Sequence, residues 1–178
     1  WDPSTGAFAH YRHDPDDAQS MGDSLADNYI WSILEDPTGV LWIGTQQGWL
    51  EKYDRAQDRF THYRVGSWIT AVYEDRSGVL WIGDREGLFR FDREAEQATL
   101  ITSERGWVED IHEDRAGQLW FGTEDGWFSS LDRSTGEFKD YAIEGSPLQQ
   151  EAFGGFCPVA KHKRSGQSQP PFGLASRL

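Results

Sequence analysis

The sequence predicts an all-β fold assembled from repeated sheets, and three observations carry that expectation. A segment recurs three times at a spacing of 39 residues: IWSILEDPTGVLWIGTQQG from Ile30, ITAVYEDRSGVLWIGDREG from Ile69 and VEDIHEDRAGQLWFGTEDG from Val108. Each copy divides into short runs of β-forming residues separated by turn residues, and no stretch carries the periodicity of a long amphipathic helix. The second run of each copy is apolar on both faces, as in Val40 to Ile43, which is the pattern of a strand covered on both sides. A period of this size with four strands per copy matches a radial stack of blades, which typically takes ~40–50 residues per blade. The expected architecture is therefore a β-propeller fragment: three four-stranded antiparallel blades, the last strand of a preceding blade, and an irregular C-terminal tail. Leucine-rich, ankyrin and tetratricopeptide repeats need a helix or a shorter period and are disfavoured.

In chain order, residues 1–13 read as the closing strand of an incomplete blade. Asp2 to Tyr11 aligns with Asp54 to Tyr63 and with Asp132 to Tyr141. Residues 14–29 (DPDDAQSMGDSLADNY) read as an acidic linker between blades. Residues 30–143 hold the three blades, at about 30–64, 69–103 and 108–143. In the first, IWSILED (30–36), VLWIGT (40–45), WLEKYD (49–54) and RFTHYR (59–64) are the four strands. Asp36-x-x-Gly39 suits a tight hairpin in which Asp bonds back to the turn amides and Gly takes positive φ. The fourth run is the most polar, as an outer edge should be. After Tyr141 the pattern stops. Residues 144–178 carry four Lys/Arg and two Glu, are rich in Gly, Ser and Pro, and contain none of the nine tryptophans. That composition reads as a disordered, non-repeat tail. Three and a quarter blades do not close a ring, so the chain reads as a piece of a larger protein.

Seven positions are identical in all three copies, among them Glu35/Glu74/Glu113, Asp36/Asp75/Asp114 and Trp42/Trp81/Trp120. The tryptophans are expected at equivalent buried positions between blades, where Trp120→Ala would cost about 3–5 kcal/mol.

Formal net charge is −13, with the acids spread through turns. Such repulsion argues against nucleic acid or an anionic membrane as the main partner. No segment approaches the ~20 apolar residues of a membrane span. The single cysteine, Cys157, excludes an internal disulfide. The scattered histidines and the acids of the linker lack metal-ligand spacing, and nothing in the sequence asks for a cofactor.

ED-x-x-G-x-LWIGT, with G-L-x-R-F-D from Gly87 and D-x-S-T-G-x-F-x-x-Y from Asp132, resembles the two-component regulator propeller repeat, over residues 1–143. The resemblance implies the periplasmic sensor region of a bacterial hybrid histidine kinase or related regulator. In that family paired propellers precede a membrane helix and a cytoplasmic kinase or cyclase module, and many members respond to carbohydrate breakdown products. It further implies a non-catalytic chain, a small-molecule ligand, and a parent sensor that can be a dimer. An immunoglobulin-like domain, membrane helix and kinase core are not found in this sequence.

Propeller ligands usually sit over the central channel. The turns between second and third strands vary in charge and size while the glycines around them do not, which frees them for recognition. The candidate binding residues are Gln46, Gln47, Asp84, Arg85, Glu124 and Asp125 in these turns, with Trp68 and Trp107 at the blade entries. All are expected on one face, and no catalytic or metal-binding residues are expected. The alternatives are a propeller lyase, for which His112 is a poor candidate base, a glycosidase-like enzyme suggested by the D-x-x-G-x-LW turn, and a protein-interaction scaffold.

Overall fold

The computed structural model describes residues 5–7, 9–12, 26–124 and 126–142. The first blade consists of β1 (Ile30–Glu35), β2 (Leu41–Thr45), β3 (Trp49–Asp54) and β4 (Arg59–Arg64). The second holds β5 (Ile69–Glu74), β6 (Leu80–Asp84), β7 (Leu88–Asp92) and β8 (Gln97–Thr102). The third holds β9 (Val108–Glu113), β10 (Leu119–Thr123), β11 (Trp127–Leu131) and β12 (Phe138–Ala142). Each forms its own four-stranded antiparallel sheet in sequence order, and the described residues contain no helix. The protein is an all-β propeller fragment.

The strands of the first blade lie where the residue pattern puts them, to within one residue. Asp36 leaves the first strand because its N–H already closes the hairpin on the Val40 carbonyl, at 2.9 Å. The first strands β1, β5 and β9 stand side by side, so they line the inside of the stack. Ser32 accepts them into contact: its hydroxyl takes the Val72 N–H at 2.9 Å, and Thr70 donates to the Val108 carbonyl. Each first strand carries a bulge near its start, which leaves Trp31, Thr70 and Glu109 unpaired in the ladder. Bulges of this kind re-aim a side chain at a sheet rim.

The core lies between blades as much as within them. Trp42, Leu50 and Tyr63 of the first blade pack with Ile69, Val72, Ile82, Phe89 and Phe91 of the second. Trp81 and Leu88 of the second pack with Val108, Ile111, Leu119, Phe121 and Leu131 of the third. Gly83 lets the blades approach, since a Cβ there would stand 2.8 Å from Val108 Cγ1.

The three motif tryptophans are not equally buried, which corrects the expectation. Trp42 and Trp81 are buried at the junctions, but Trp120 is half-buried and stacks on Phe128 and Tyr141 of its own blade. No strand among the described residues lies over that face.

Residues 9–12 are not a strand in the structure, although Tyr11 rests on Tyr53 and Phe60 with ring centroids 5.2 Å away. Most of the acidic linker and the tail 144–178 lie outside the described residues.

The motif carboxylates hold this arrangement together. Asp36, Asp75 and Asp114 each accept the turn amides two and four residues on. Each also accepts the indole N–H of its blade's motif tryptophan, at 3.0, 2.8 and 2.9 Å. An arginine after the third strand then ties blade to blade. Arg93 lies 2.6 Å from Glu74 of its own blade and 3.6 Å from Asp36 of the one before. Arg133 repeats this with Glu113 at 2.6 Å and Asp75 at 2.5 Å.

These bonds set the acid stability. Burial pushes Asp36 and Asp75 upward, but the donors around them outweigh it: Thr38 and Trp42 for the first, Trp81, Val79 and Arg133 for the second. Both lie below the usual carboxylate range, as does Asp114, where the Trp120 N–H is the largest influence. A carboxyl depressed in the folded state stabilises it above the unfolded value of about 3.9 and loses that contribution as pH falls through the folded value. Buried Asp84 has the opposite sign, since desolvation raises it and protonation relieves it. The urea midpoint is therefore expected to fall as pH drops from about 5 to about 2, and Asp114→Asn should flatten the slope. An unchanged slope would contradict this assignment.

Candidate functional site

The turn residues and the blade-entry aromatics are brought together by backbone bonds that repeat from blade to blade. Gln46 N–H donates to the Tyr29 carbonyl at 2.9 Å, Arg85 to Trp68 at 3.3 Å and Glu124 to Trp107 at 3.1 Å. Each turn between second and third strands is thus pinned to the entry of its own blade. Equivalent positions of stacked blades share one end of the stack, so the three turns form a common face.

On that face the rings of Trp31, Trp68 and Trp107 make a row, with successive centroids 5.2 and 5.4 Å apart. The Arg85 guanidinium lies over the last two members, 5.0 Å from the Trp68 centroid and 4.9 Å from that of Trp107. Cation–π attraction of this sort is worth about 0.5–2 kcal/mol, more when water is excluded. The indole N–H groups of Trp68 and Trp107 are buried and meet no acceptor among the described residues. The arrangement offers an exposed aromatic surface at Trp31 and a cation at Arg85.

The other candidates divide. Gln47 and Glu124 are exposed and Gln46 is half-buried. Asp125 lies outside the described residues. Asp84 is fully buried, unlike the solvent-facing turn acid the sequence suggested. Its carboxylate accepts the N–H groups of Ser67, Glu86 and Gly87, so it fastens the entry loop to the turn. Asp27 does the same in the first blade, accepting from Gln47 at 2.9 Å and from Tyr29 at 3.2 Å. Thr45 and Thr123 stand at the position of Asp84 and cap their turns from the hydroxyl.

Sequence reasoning missed Asp27 and Trp31. Trp31 shares its column with Thr70 and Glu109, so alignment of the copies hides it; only the bulge shows that it turns toward the Trp68 ring. His112 is exposed, beside Tyr73, with ring centroids 6.2 Å apart. Among the described residues no group of acids, histidines or cysteines could hold a metal ion, and no helix is long and apolar enough to cross a membrane.

A family model described as two component regulator propeller matches residues 24–47, 64–86 and 104–125. Among solved structures, the chain is similar to the extracellular domain of a proposed hybrid two component system from B. thetaiotaomicron, with a TM-score of 0.65 and 25% identity. That alignment covers 76% of this chain and 19% of the other. A second such extracellular domain from B. thetaiotaomicron aligns with a TM-score of 0.57 and 25% identity, over 68% of this chain and 19% of the other. The chain thus spans about a fifth of the length of these structures. A catalytically inactive virginiamycin B lyase from Staphylococcus aureus, solved with quinupristin, aligns at a TM-score of 0.57 over 68% of this chain and 44% of the other. At 17% identity it shares the fold alone. No curated protein matches the chain.

Proposed function

The repeats of this chain belong to the two-component regulator propeller family, and on that premise we infer that the chain is the ligand-sensing propeller segment of a bacterial two-component sensor. It is non-catalytic in itself and lies in the periplasm or outside the cell, as the extracellular domains to which it is similar do. Signal output belongs to a histidine kinase or cyclase module of the parent protein, whose active form is a dimer.

The observation that carries the reading is Arg85, held over the faces of Trp68 and Trp107 at the end of the stack where the variable turns converge. A cation kept against indole rings in a chain of net charge −13 supports a small-molecule ligand with an electron-rich group. A carbohydrate breakdown product fits. The apolar face of a sugar ring would lie on the tryptophans while Arg85 takes a hydroxyl or carboxylate.

The test is titration calorimetry of the parent sensor against a panel of mono- and oligosaccharides and their uronic acids. Arg85→Ala should weaken the responding ligand at least about tenfold. Its melting temperature should fall only slightly, because the side chain is exposed and its contacts with the two rings are worth about 0.5–2 kcal/mol. Equal affinity in the variant would remove Arg85 from the site, and no response across the panel would remove the carbohydrate reading.

A further inference from the structure

The first and second blades each receive a tyrosine from the preceding stretch of chain, and the third does not. Tyr63 is buried between the first and second blades, its ring centroid 5.0 Å from that of Phe91. Its hydroxyl donates to Glu96, in the turn after β7, at 2.9 Å. Tyr11 repeats this on the first blade, 5.2 Å from the equivalent ring of Tyr53 and donating to Asp58 at 2.7 Å. Asp58 and Glu96 hold matching turn positions, with φ of 51° and 55°.

Between the second and third blades every member of this set is replaced. Ile101, which the bulge in β8 leaves unpaired, stands in place of the tyrosine. Leu131 stands where Tyr53 and Phe91 stand, since each pairs with the motif leucine of its own blade. Gly136, with φ of 75°, takes the turn position of the two acids and offers no carboxylate. A cleft of about 430 Å³ opens here, with Val79, Trp81, Ile101 and Leu131 along its apolar wall. The blades on either side of it are complete four-stranded sheets.

The polarity of the rim is reversed as well. Where Asp58 and Glu96 accept a hydroxyl, this cleft carries the guanidinium groups of Arg90 and Arg133. Arg133 is engaged by Asp75 and Glu113. Arg90 is exposed and makes no ion pair or hydrogen bond among the described residues, its field reaching only as far as Asp92. A free guanidinium takes a carboxylate through two parallel N–H bonds. The volume lies within the usual range of about 300–1,000 Å³ for small-molecule pockets.

We propose that this cleft binds a small aromatic carboxylate. The ring takes the place of the missing tyrosine, between Ile101 and Leu131 beside Trp81, and the carboxylate meets Arg90. The cleft opens at the turns that follow β5 and β11, the opposite end of the blades from the row of Trp31, Trp68 and Trp107. It is therefore a second site, and it stands whether or not the row binds a sugar.

Calorimetric titration of benzoate into the 178-residue chain tests this, with benzamide as the uncharged analogue of similar shape. Benzoate should bind with a Kd of about 1 mM or tighter, and benzamide at least about tenfold more weakly. Arg90→Gln, at an exposed position, should weaken benzoate at least about tenfold, to the level of benzamide. Ile101→Tyr should abolish binding while the urea midpoint holds, because the introduced ring fills the cleft as Tyr63 fills the first junction. If that variant melts early, Arg90→Gln decides alone. No binding to the parent chain, equal affinity for benzoate and benzamide, or an Arg90→Gln variant that binds like the parent would each overturn the proposal. So would a folded Ile101→Tyr variant that still binds. Loss of benzoate binding in Arg85→Ala would place the anion on the tryptophan row and overturn it too.

Discussion

Trp81→Ala is expected to destabilise the propeller by about 3–5 kcal/mol, the range for removing a fully packed aromatic side chain. The ring is 4% exposed and lies in the cluster that joins the second blade to the third, with Val108, Leu119 and Leu131. Truncation opens a cavity between two sheets that cannot easily collapse, because Arg133 bridges them to Asp75 and Glu113. It also removes the N–H that Asp75 accepts at 2.8 Å, leaving a buried carboxylate short of one donor. Trp120→Ala is the control. That ring is half-buried and stacked at 4.8 Å on Phe128 of its own blade, so the loss should be about 1–2 kcal/mol. Urea denaturation of the two variants measures the difference, and equal losses would contradict packing between blades as the source of the tryptophan's contribution.

Gly87→Ala should cost about 2–4 kcal/mol, combining a left-handed backbone with an impossible contact. Its φ is 144°, and an added Cβ would run into the Thr102 carbonyl oxygen at the start of the next connection. Gly126→Ala at the matching turn of the third blade separates the two effects. There φ is 80° but nothing among the described residues lies within 4 Å of the added carbon, so only the backbone cost of about 1–2 kcal/mol remains. The comparison is again made by urea midpoints at constant slope. Similar losses at the two sites would mean that the Thr102 contact is relieved by a shift of the loop.

The blades were legible in the sequence because everything that makes a hairpin is local. Asp36, Gly39 and the alternating residues between them specify one turn within five positions, and the same pattern at Asp75 and Asp114 specifies two more. Each turn lies beside its own blade entry for the same reason, since the two are the ends of one hairpin of first and second strands. What the sequence did not disclose are contacts between copies. Glu74 and Asp36 meet one arginine, Arg93, only after two sheets stack, so the motif acids read as turn formers and their role as a clamp was hidden. The placement of Arg85 over Trp107 likewise depends on the neighbouring blade. Asp84 misled for a different reason. Asp-Arg-Glu looks like a solvated turn, but the first of these stands at the strand-end column of Thr45 and Thr123, where the side chain points inward to cap amides.

The row of indoles at Trp31, Trp68 and Trp107 has an optical consequence. Aromatic transition dipoles only 5.2 and 5.4 Å apart between centroids, with planes tilted by 64° and 42°, couple as excitons. The far-ultraviolet dichroism of this chain should therefore carry a couplet superimposed on the β-sheet signal, and its tryptophan emission should be depolarised by energy hopping along the row. Because the three rings belong to three different blades, that couplet is a spectroscopic gauge of blade spacing. It should fade when the sheets part, even while each sheet keeps its own backbone signal.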